Sequence, residues 1–290
     1  MLLPNPFDLP IADFLHPLDL AVDLTAGHPA SGTSLSGKPR VELYIAPYSR
    51  ILESFDTAWP LLLPPEEQKR AESFRVQADR ERFIAGRLLL RCLLSRKCSQ
   101  FSAFSEAGQT TEPRDWQLKT EQYGKPYLSG PPIFIPPSRP LSLPLPPLKR
   151  PTKNSQLHDT HTGMPHFNLA HSGAYVALAF SEQLELGLDI EQQQSRRHNL
   201  NGIARLLFEK TEQQTLQHLL QQDTERAEQL FFQLWCRYEA LSKLEGTGLL
   251  ARPQNCRPFS STEGHFYCDS STTRYFWALS LREQQTIEAT

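Results

Sequence analysis

The sequence has no long apolar segment and no regularly spaced cysteines. It contains neither a run of 18 or more apolar residues nor, at its start, a basic segment leading into an apolar one. We therefore expect no membrane-spanning helix and no secretory signal peptide, which favours a soluble, cytoplasmic protein. The five cysteines are odd in number and show neither CxxC spacing nor a Cys/His cluster, which argues against a disulfide framework or a zinc site.

A strong excess of either charge is also lacking. The net charge is −2 and the isoelectric point is near 6.5. No overall positive field would therefore attract nucleic acid or a membrane surface. The chain has 290 residues, of which 39% are hydrophobic, enough for one large or two medium domains with a buried core.

The first 165 residues divide into three stretches of different composition. Residues 1–40 are rich in Pro, Gly and Ser and show no periodicity, which predicts a poorly structured extension. Residues 41–128 show strand-like and helical patterns, including a long helix over Asp79 to Lys97, which predicts a first α+β half. Residues 129–165 are rich in Pro and aperiodic, which predicts an inserted loop.

Residues 166–282 predict a second α+β half. Strands are expected near 167–190 and 264–281, and the helices between them at about 199–209, 211–222 and 224–244. Two halves of about 100 residues each match the usual domain size. Small-molecule sites commonly lie between such units, so we expect the functional site at their interface.

Acidic residues follow an apolar run in the second half. Asp189 and Glu191 are two apart on the expected strand and project from one face, while Glu239 and Lys243 share one face of the last helix. Packing of that helix across the strand end would bring three carboxylates and an ammonium together, a site suited to Mg²⁺ and a phosphorylated substrate. Taken separately, the acids are also compatible with a solvated strand edge, and Glu239 and Lys243 with an exposed helix pair.

Five segments occur in a characteristic order. In that order they are Arg82 in DRERF, Tyr123-Gly124-Lys125-Pro126, FNLAHS at 167–172, GLDIE at 187–191 and WCRYEALSKLEG at 235–246. The series resembles the 4′-phosphopantetheinyl transferases of the surfactin-synthetase-activating type, whose segments run GKP, FN(I/L)SHS, (V/I)G(V/I)DIE and W(T/S)xKExxxKxxGxG. The resemblance covers residues 41–282, apart from the 129–165 insertion.

This resemblance implies a function and a fold. The enzyme would transfer the phosphopantetheine arm of coenzyme A to a serine of an apo-carrier protein and release adenosine 3′,5′-bisphosphate. The fold would be a monomeric α+β pseudo-dimer of two similar halves, with coenzyme A held between them.

The resemblance also implies roles for individual residues. Asp189, Glu191 and Glu239 would bind Mg²⁺, and Lys243 would stabilise the departing phosphate. Glu239, or as second choice Glu191, would take the serine proton directly or through a metal-bound water. The remaining implied contacts to coenzyme A are Arg82 and His171 at the 3′-phosphate, Lys125 and Pro126 along the adenine and ribose, and Arg70 and Ser172.

Three positions depart from the family pattern. Tyr238 replaces a lysine before the helical glutamate, Ala170 replaces a serine, and of two basic positions in the first helical region Glu67 takes one while Arg70 keeps the other. Because a phenol cannot replace a cation against phosphate, we expect slower turnover or weaker binding of coenzyme A.

Two other functions are compatible with the same residues. One is a catalytically weak protein that binds coenzyme A or a carrier, and another is a Mg²⁺-dependent phosphohydrolase that uses the same acids. The pathway of the carrier is not specified. Basic residues of the 129–165 loop are compatible either with a docking element or with a solvated loop.

Overall fold

The computed structural model describes residues 18–23, 28–29, 39–97, 111–120, 124–129, 165–193, 200–249, 260–267 and 274–283. The strands are β1 (Leu18–Asp23), β2 (His28–Pro29), β3 (Arg40–Pro47), β4 (Leu118–Thr120), β5 (Pro126–Leu128), β6 (His166–Ser172), β7 (Tyr175–Ser181), β8 (Leu184–Gln192), β9 (Ser260–Tyr267) and β10 (Arg274–Glu283). The helices are α1 (Tyr48–Phe55), α2 (Trp59–Leu62), α3 (Pro65–Glu72), α4 (Gln77–Lys97), α5 (Leu200–Leu207), α6 (Lys210–Gln222) and α7 (Thr224–Glu245), with short 3₁₀ turns at Asp56–Ala58 and Pro113–Asp115.

The described strands form two antiparallel sheets and a hairpin. The first sheet has the order β2-β1-β3-β7-β6, the second has the order β8-β10-β9, and β4 pairs with β5. Alternate side chains of a strand project from opposite faces of the sheet, so they enter different parts of the core. On β3, Tyr44 and Ala46 join the core beneath the first helices, whereas Val41 and Leu43 face the second sheet.

Helices cover the outer face of each sheet. The first core cluster joins α1, α2 and α4 to the first sheet, and the third joins α5, α6 and α7 to the outer face of β10. Between them, apolar residues of β8 and β10 meet small residues of the first sheet, including Ala177 and Ala179. The layers therefore follow the order helices, sheet, sheet, helices, an α+β arrangement.

Side chains join the two sheets where β6 lies beside β8. Asn168 accepts a hydrogen bond from the Leu188 backbone N–H at 3.0 Å, and Ser172 accepts one from the Gln192 backbone N–H at 3.0 Å. These side chains bind N–H groups on β8 that the pairing with β10 does not use. β8 is thus fixed in place immediately beside Asp189 and Glu191.

The element positions that the sequence predicts are confirmed where they are described. The long helix, the three later helices and the strands around 41–46, 167–190 and 264–281 lie within a few residues of their expected bounds. β6 and β7, which the sequence places with the second half, pair with β3 of the first. In the 1–40 extension, β1 and β2 are strands and Arg40 begins β3. Residues 1–17, 24–27 and 30–38, like most of the 129–165 loop, lie outside the described residues.

In the part of the chain that the structure describes, no helix is both long and apolar enough to cross a membrane.

Candidate functional site

Gly187 brings helix α7 into direct backbone contact with strand β8. A Cβ atom at Gly187 would lie 2.1 Å from the Ala240 carbonyl oxygen and 2.4 Å from the Leu244 nitrogen. Cβ atoms in proteins do not approach other atoms so closely, and these neighbours are backbone atoms that cannot rotate away. A residue without a side chain is therefore required here, and it sets α7 across the face of β8 that carries Asp189 and Glu191.

Two further contacts hold the same crossing. Lys125 Nζ, on the β4–β5 hairpin, donates hydrogen bonds to the Leu186 carbonyl at 3.2 Å and to the Lys243 carbonyl at 3.1 Å. Arg282 on β10 bonds Glu185 at 2.7 Å and Glu245 at 2.8 Å. Lys125 thus anchors β8 and α7, and its expected contact with adenine and ribose stays a prediction.

Asp189 and Lys243 form an ion pair at the centre of the crossing. Lys243 Nζ lies 2.7 Å from Asp189 Oδ1, and the lysine side chain is 30% exposed whereas the aspartate is 8% exposed. Oδ2 of Asp189 is buried and accepts no hydrogen bond from the residues that the structure describes. Burial raises the pKa of the Asp189 carboxyl, and Lys243 opposes the rise.

Glu191 is held by two side-chain donors. Ser172 Oγ donates to Glu191 Oε2 at 2.8 Å, and the Trp235 indole N–H donates to Glu191 Oε1 at 3.3 Å. Burial and the charge of Asp189 raise the pKa of Glu191, and these donors oppose the rise. This role of Trp235 was not predicted from the sequence, although its position four residues before Glu239 on the helical pattern places it beside the site.

Glu239 completes the acidic group. Burial and then the charge of Asp189 raise its pKa, Lys243 lowers it, and Glu191 raises it further, with no hydrogen bond contributing. The three predicted acids are therefore close enough to perturb one another, together with Lys243. Among the residues that the structure describes, however, no three His, Cys, Asp or Glu side chains already form a group that could hold a metal ion.

A cavity of about 860 Å³ lies beside the hairpin and the first helices. Arg70, Arg82 and His171 line it, as do Gly124 and Pro126 of the predicted nucleotide-binding turn. Most of the residues expected to contact coenzyme A therefore border one cavity. Lys125 points instead to β8 and α7, and Ser172 lines a second cavity.

The second cavity, of about 410 Å³, adjoins the acids. Glu191 lines it together with apolar side chains of Ile203, Phe231, Phe232 and Trp235. Arg82 and His171 line both cavities and so lie between them. A substrate with a charged end and an apolar end would find matching surroundings on the two sides of this pair.

Arg82 and His171 are oriented by their neighbours. Arg82 donates to the Gly173 carbonyl at 2.9 Å and pairs with Asp79, and its side chain is 18% exposed. Desolvation, then the positive charges of Arg82 and Lys243, lower the pKa of His171. This group of positive and ionisable side chains suits an anion, whose charge would favour protonation of the imidazole.

Tyr238, the most distinctive departure from the family pattern, is directed to another element. Its hydroxyl donates to Glu212 Oε2 at 2.8 Å, and its ring stacks on Phe208 with centroids 5.4 Å apart. Glu212 also caps the start of α6 by bonding the Glu209 backbone N–H at 3.0 Å. Tyr238 therefore links α6 to α7.

Comparison with known proteins points to one family. A family model described as the 4′-phosphopantetheinyl transferase superfamily matches residues 185–289, the part of the chain that carries Asp189, Glu191, Glu239 and Lys243. A protein of Synechocystis sp., slr0495, whose name assigns it provisionally to the 4′-phosphopantetheinyl transferases, is 26% identical over 242 residues. That alignment covers 83% of this chain and 79% of the relative.

Two Bacillus proteins are also similar. The 4′-phosphopantetheinyl transferase Sfp of Bacillus subtilis is 27% identical over 187 residues, which cover 64% of this chain and 62% of Sfp. The 4′-phosphopantetheinyl transferase psf-1 of Bacillus pumilus is 42% identical over 84 residues, 29% of this chain and 33% of that protein. All three relatives carry the same activity in their names.

Proposed function

Since this chain belongs to the 4′-phosphopantetheinyl transferase superfamily, we propose that it transfers the 4′-phosphopantetheine arm of coenzyme A to a serine of an apo-carrier protein, with Mg²⁺. The serine oxygen bonds to the β-phosphorus, the bond from that phosphorus to the bridging oxygen breaks, and adenosine 3′,5′-bisphosphate leaves. The serine proton passes to a base. The observation that carries the proposal is the junction of β8 and α7, where Lys243 Nζ lies 2.7 Å from Asp189 Oδ1 beside two further coupled carboxyls.

The larger cavity accommodates the nucleotide part of coenzyme A. Its volume of about 860 Å³ lies within the usual range for cofactor sites. Arg82, His171 and Arg70 on its wall bind the 3′-phosphate by charge-assisted hydrogen bonds. Gly124 and Pro126 lie along the adenine and ribose, and Lys125 shapes this turn through its bonds to β8 and α7.

The smaller cavity receives the pantetheine arm and the carrier serine. Its aromatic side chains suit the apolar part of the arm, and Glu191 lines the same cavity. Because Arg82 and His171 border both cavities, a 3′-phosphate bound to them would leave the pyrophosphate between the nucleotide and the arm. Positioning of this kind accounts for much of the catalysis in phosphoryl transfer.

The donor set of the junction fits a divalent cation. Asp189 has a buried oxygen to which no group in the described part of the chain donates a hydrogen bond, and the carboxyls of Asp189, Glu191 and Glu239 perturb one another. These three residues would hold Mg²⁺, which supplies neutralisation of pyrophosphate charge when bound. Binding the ion would require the carboxylates to move together, because they do not already form such a group among the described residues.

Lys243 stabilises the charge of the leaving phosphate, and Glu239 accepts the serine proton. Lys243, now paired with Asp189, can donate to the leaving phosphate, because its side chain is 30% exposed. Glu191 already accepts two hydrogen bonds, whereas none contributes to the raised pKa of Glu239. Glu239 is therefore the better base for the serine proton, with Glu191 as second choice.

The two halves of the molecule resemble each other in architecture. In each half a long helix, α4 or α7, covers an antiparallel sheet, and this repetition supports a pseudo-dimer with coenzyme A at the junction of the halves. We also propose that the enzyme is monomeric and cytoplasmic. The carrier partner is an acyl, peptidyl or aryl carrier protein or domain.

Intact-mass spectrometry of a carrier tests the function directly. Full-length protein is incubated with Mg²⁺, coenzyme A and each of several apo-carriers, and transfer adds the mass of one phosphopantetheine arm to the carrier. Release of free phosphopantetheine without carrier modification would instead support the phosphohydrolase. Binding of coenzyme A or carrier without either product would support the weak binding protein.

A further inference from the structure

Arg87 on helix α4 carries a guanidinium nitrogen without a partner. The side chain lines the larger cavity and is 15% exposed. Its Nε lies 3.5 Å from Glu67 Oε1, and its Nη1 is buried and makes no hydrogen bond within the described residues. An unpaired buried donor is costly, so a group that bound this nitrogen would be favoured.

The guanidinium of neighbouring Arg91, in contrast, is hydrogen-bonded within the protein. Its Nε donates to Glu67 Oε2 at 2.8 Å, and its Nη1 donates to the carbonyls of Pro113 and Trp116 at 2.9 Å each. The Arg91 side chain is 2% exposed. Arg91 is therefore a structural residue that ties α4 to α3 and to the Pro113–Asp115 turn.

The carboxylate of Glu67 pairs with both Arg87 and Arg91. Because Glu67 carries one negative charge and Arg87 and Arg91 carry two positive charges, the group retains a net charge of +1. Burial lowers the pKa of Arg87, Glu67 opposes the shift, and Arg91 adds to it. The uncompensated charge thus lies at Arg87, at the cavity wall.

Arg87 lines the same cavity as Arg82, the residue of α4 already assigned to coenzyme A. Arg82, Phe83, Gly86 and Arg87 all line the cavity, and Arg82 precedes Arg87 by about 7.5 Å along the helix axis. Arg70 lies on the same wall, with its guanidinium 5.0 Å from the Phe74 ring centroid. A dianionic phosphate within this cavity would meet positive charge from both α3 and α4.

We propose that Arg87 binds the 3′-phosphate monoester of coenzyme A and supplies from α4 the positive charge that Glu67 does not supply from α3. Glu67 on α3 carries a carboxylate, and its ion pair with Arg87 holds the guanidinium at the cavity wall. The inference rests on the proposed function for the identity of the ligand, but the binding test below requires no transfer.

Nucleotide binding by the full-length protein tests the role of Arg87. Titration calorimetry compares adenosine 3′,5′-bisphosphate with adenosine 5′-monophosphate, which lacks the 3′-phosphate. We expect Arg87→Gln to weaken binding of the bisphosphate about tenfold or more and to leave monophosphate binding unchanged, because only the former ligand reaches the arginine. Arg87→Lys should restore part of the affinity, since it keeps the charge.

A matched control and a contrary outcome make this test decisive. Arg75 is exposed and does not line the cavity, so Arg75→Gln should bind both nucleotides as the unchanged protein does. Equal weakening of both nucleotides by Arg87→Gln, or none, in a protein with an unchanged melting temperature would overturn the proposal. Absence of carrier modification by the unchanged protein would count against the proposed function, whereas this comparison would still report on Arg87.

A charge exchange adds a second test. The double variant Glu67→Lys with Arg87→Glu moves the positive charge from α4 to α3. It also places a carboxylate one turn before Arg91, where the two can pair. We expect this variant to bind the bisphosphate more tightly than Arg87→Gln. A folded double variant that binds no better than Arg87→Gln would contradict the claim that both positions serve one phosphate.

Discussion

Three carboxyls on β8 and α7 have pKa values above their ordinary ranges. For Asp189, Glu191 and Glu239, burial is the largest cause, and like charge adds to it for Glu191 and Glu239. The folded protein therefore binds protons more tightly at these groups than the unfolded chain does. Their contribution to stability falls as the pH rises from ordinary carboxyl values through the raised ones.

Removing one of these charges is expected to stabilise the metal-free protein. Glu239→Gln eliminates a carboxylate that is repelled by Asp189 and Glu191, so the melting temperature at neutral pH should rise. The gain should shrink as the pH is lowered and Glu239 becomes protonated in the unchanged protein. Thermal denaturation across the acidic to neutral range, with a chelator present, measures this.

The control for that measurement is an exposed acid. Glu53 is 66% exposed in its pair with Arg50, so Glu53→Gln should change the melting temperature little. An unchanged or lower melting temperature for Glu239→Gln at neutral pH would show that the three carboxyls do not repel one another.

The indole N–H of Trp235 is expected to position Glu191. Trp235→Phe keeps an aromatic ring against Phe231 but removes the 3.3 Å hydrogen bond to Glu191 Oε1. We expect kcat/KM to fall about three- to tenfold, the equivalent of one hydrogen bond, and the Mg²⁺ concentration for half-maximal rate to rise. Initial rates over a range of Mg²⁺ concentrations measure both quantities.

A second tryptophan supplies the comparison. Trp59 packs against the first core cluster, away from the acids, so Trp59→Phe should leave the Mg²⁺ requirement unchanged. If Trp235→Phe changed stability alone, with the same Mg²⁺ requirement, Trp235 would be only a packing residue.

At the scale of elements, the crossing of α7 over β8 depends on Gly187. Gly187→Ala places a Cβ 2.1 Å from the Ala240 carbonyl oxygen, so helix and strand must separate. We expect a loss of stability of about 3 kcal/mol, the upper end for overpacking, and loss of transfer activity because Glu239 and Lys243 move with the helix. Chemical denaturation and the carrier-mass assay measure the two effects.

A glycine on the other long helix provides the matched control. At Gly86 a new Cβ would meet only Leu169 Cδ2, at 3.7 Å, an ordinary contact. Gly86→Ala should therefore keep or slightly raise the stability, as alanine usually does inside a helix. Equal stability of the Gly187→Ala and unchanged proteins would contradict the close packing of α7 on β8.

Elements and their exposed faces could be predicted from local pattern, because period and capping signals lie within a few residues. Asp189 and Glu191 share a strand face and Glu239 and Lys243 share a helix face, as their spacing predicts. Three contacts could not be predicted from the sequence, because their partners are 20 to 118 residues apart. They are the bonds of Lys125 to β8 and α7, the Asn168–Leu188 bond and the pairing of Glu67 with two arginines. Such contacts depend on how the layers pack.

At the scale of the whole molecule, two helix-covered sheets meet along β6 and β8. The predicted halves divided the chain by sequence, but strand pairing places β6 and β7 in the first sheet. Ser172 of the first sheet therefore supports Glu191 of the second, and the proposed site draws on both. Separating the sheets would remove support from the acids and divide the residues that border the two cavities.

The central claim is that Asp189, Glu191 and Glu239 together hold the cation that transfer requires. The rate of carrier modification, followed by intact mass, is measured against Mg²⁺ concentration for the unchanged protein, Asp189→Asn, Glu239→Gln and the Glu53→Gln control. We expect chelator to abolish transfer, Mg²⁺ to restore it only in the unchanged and control proteins, and the two site variants to lose at least about a hundredfold. Full-rate transfer in chelator, or by either site variant, would contradict the account.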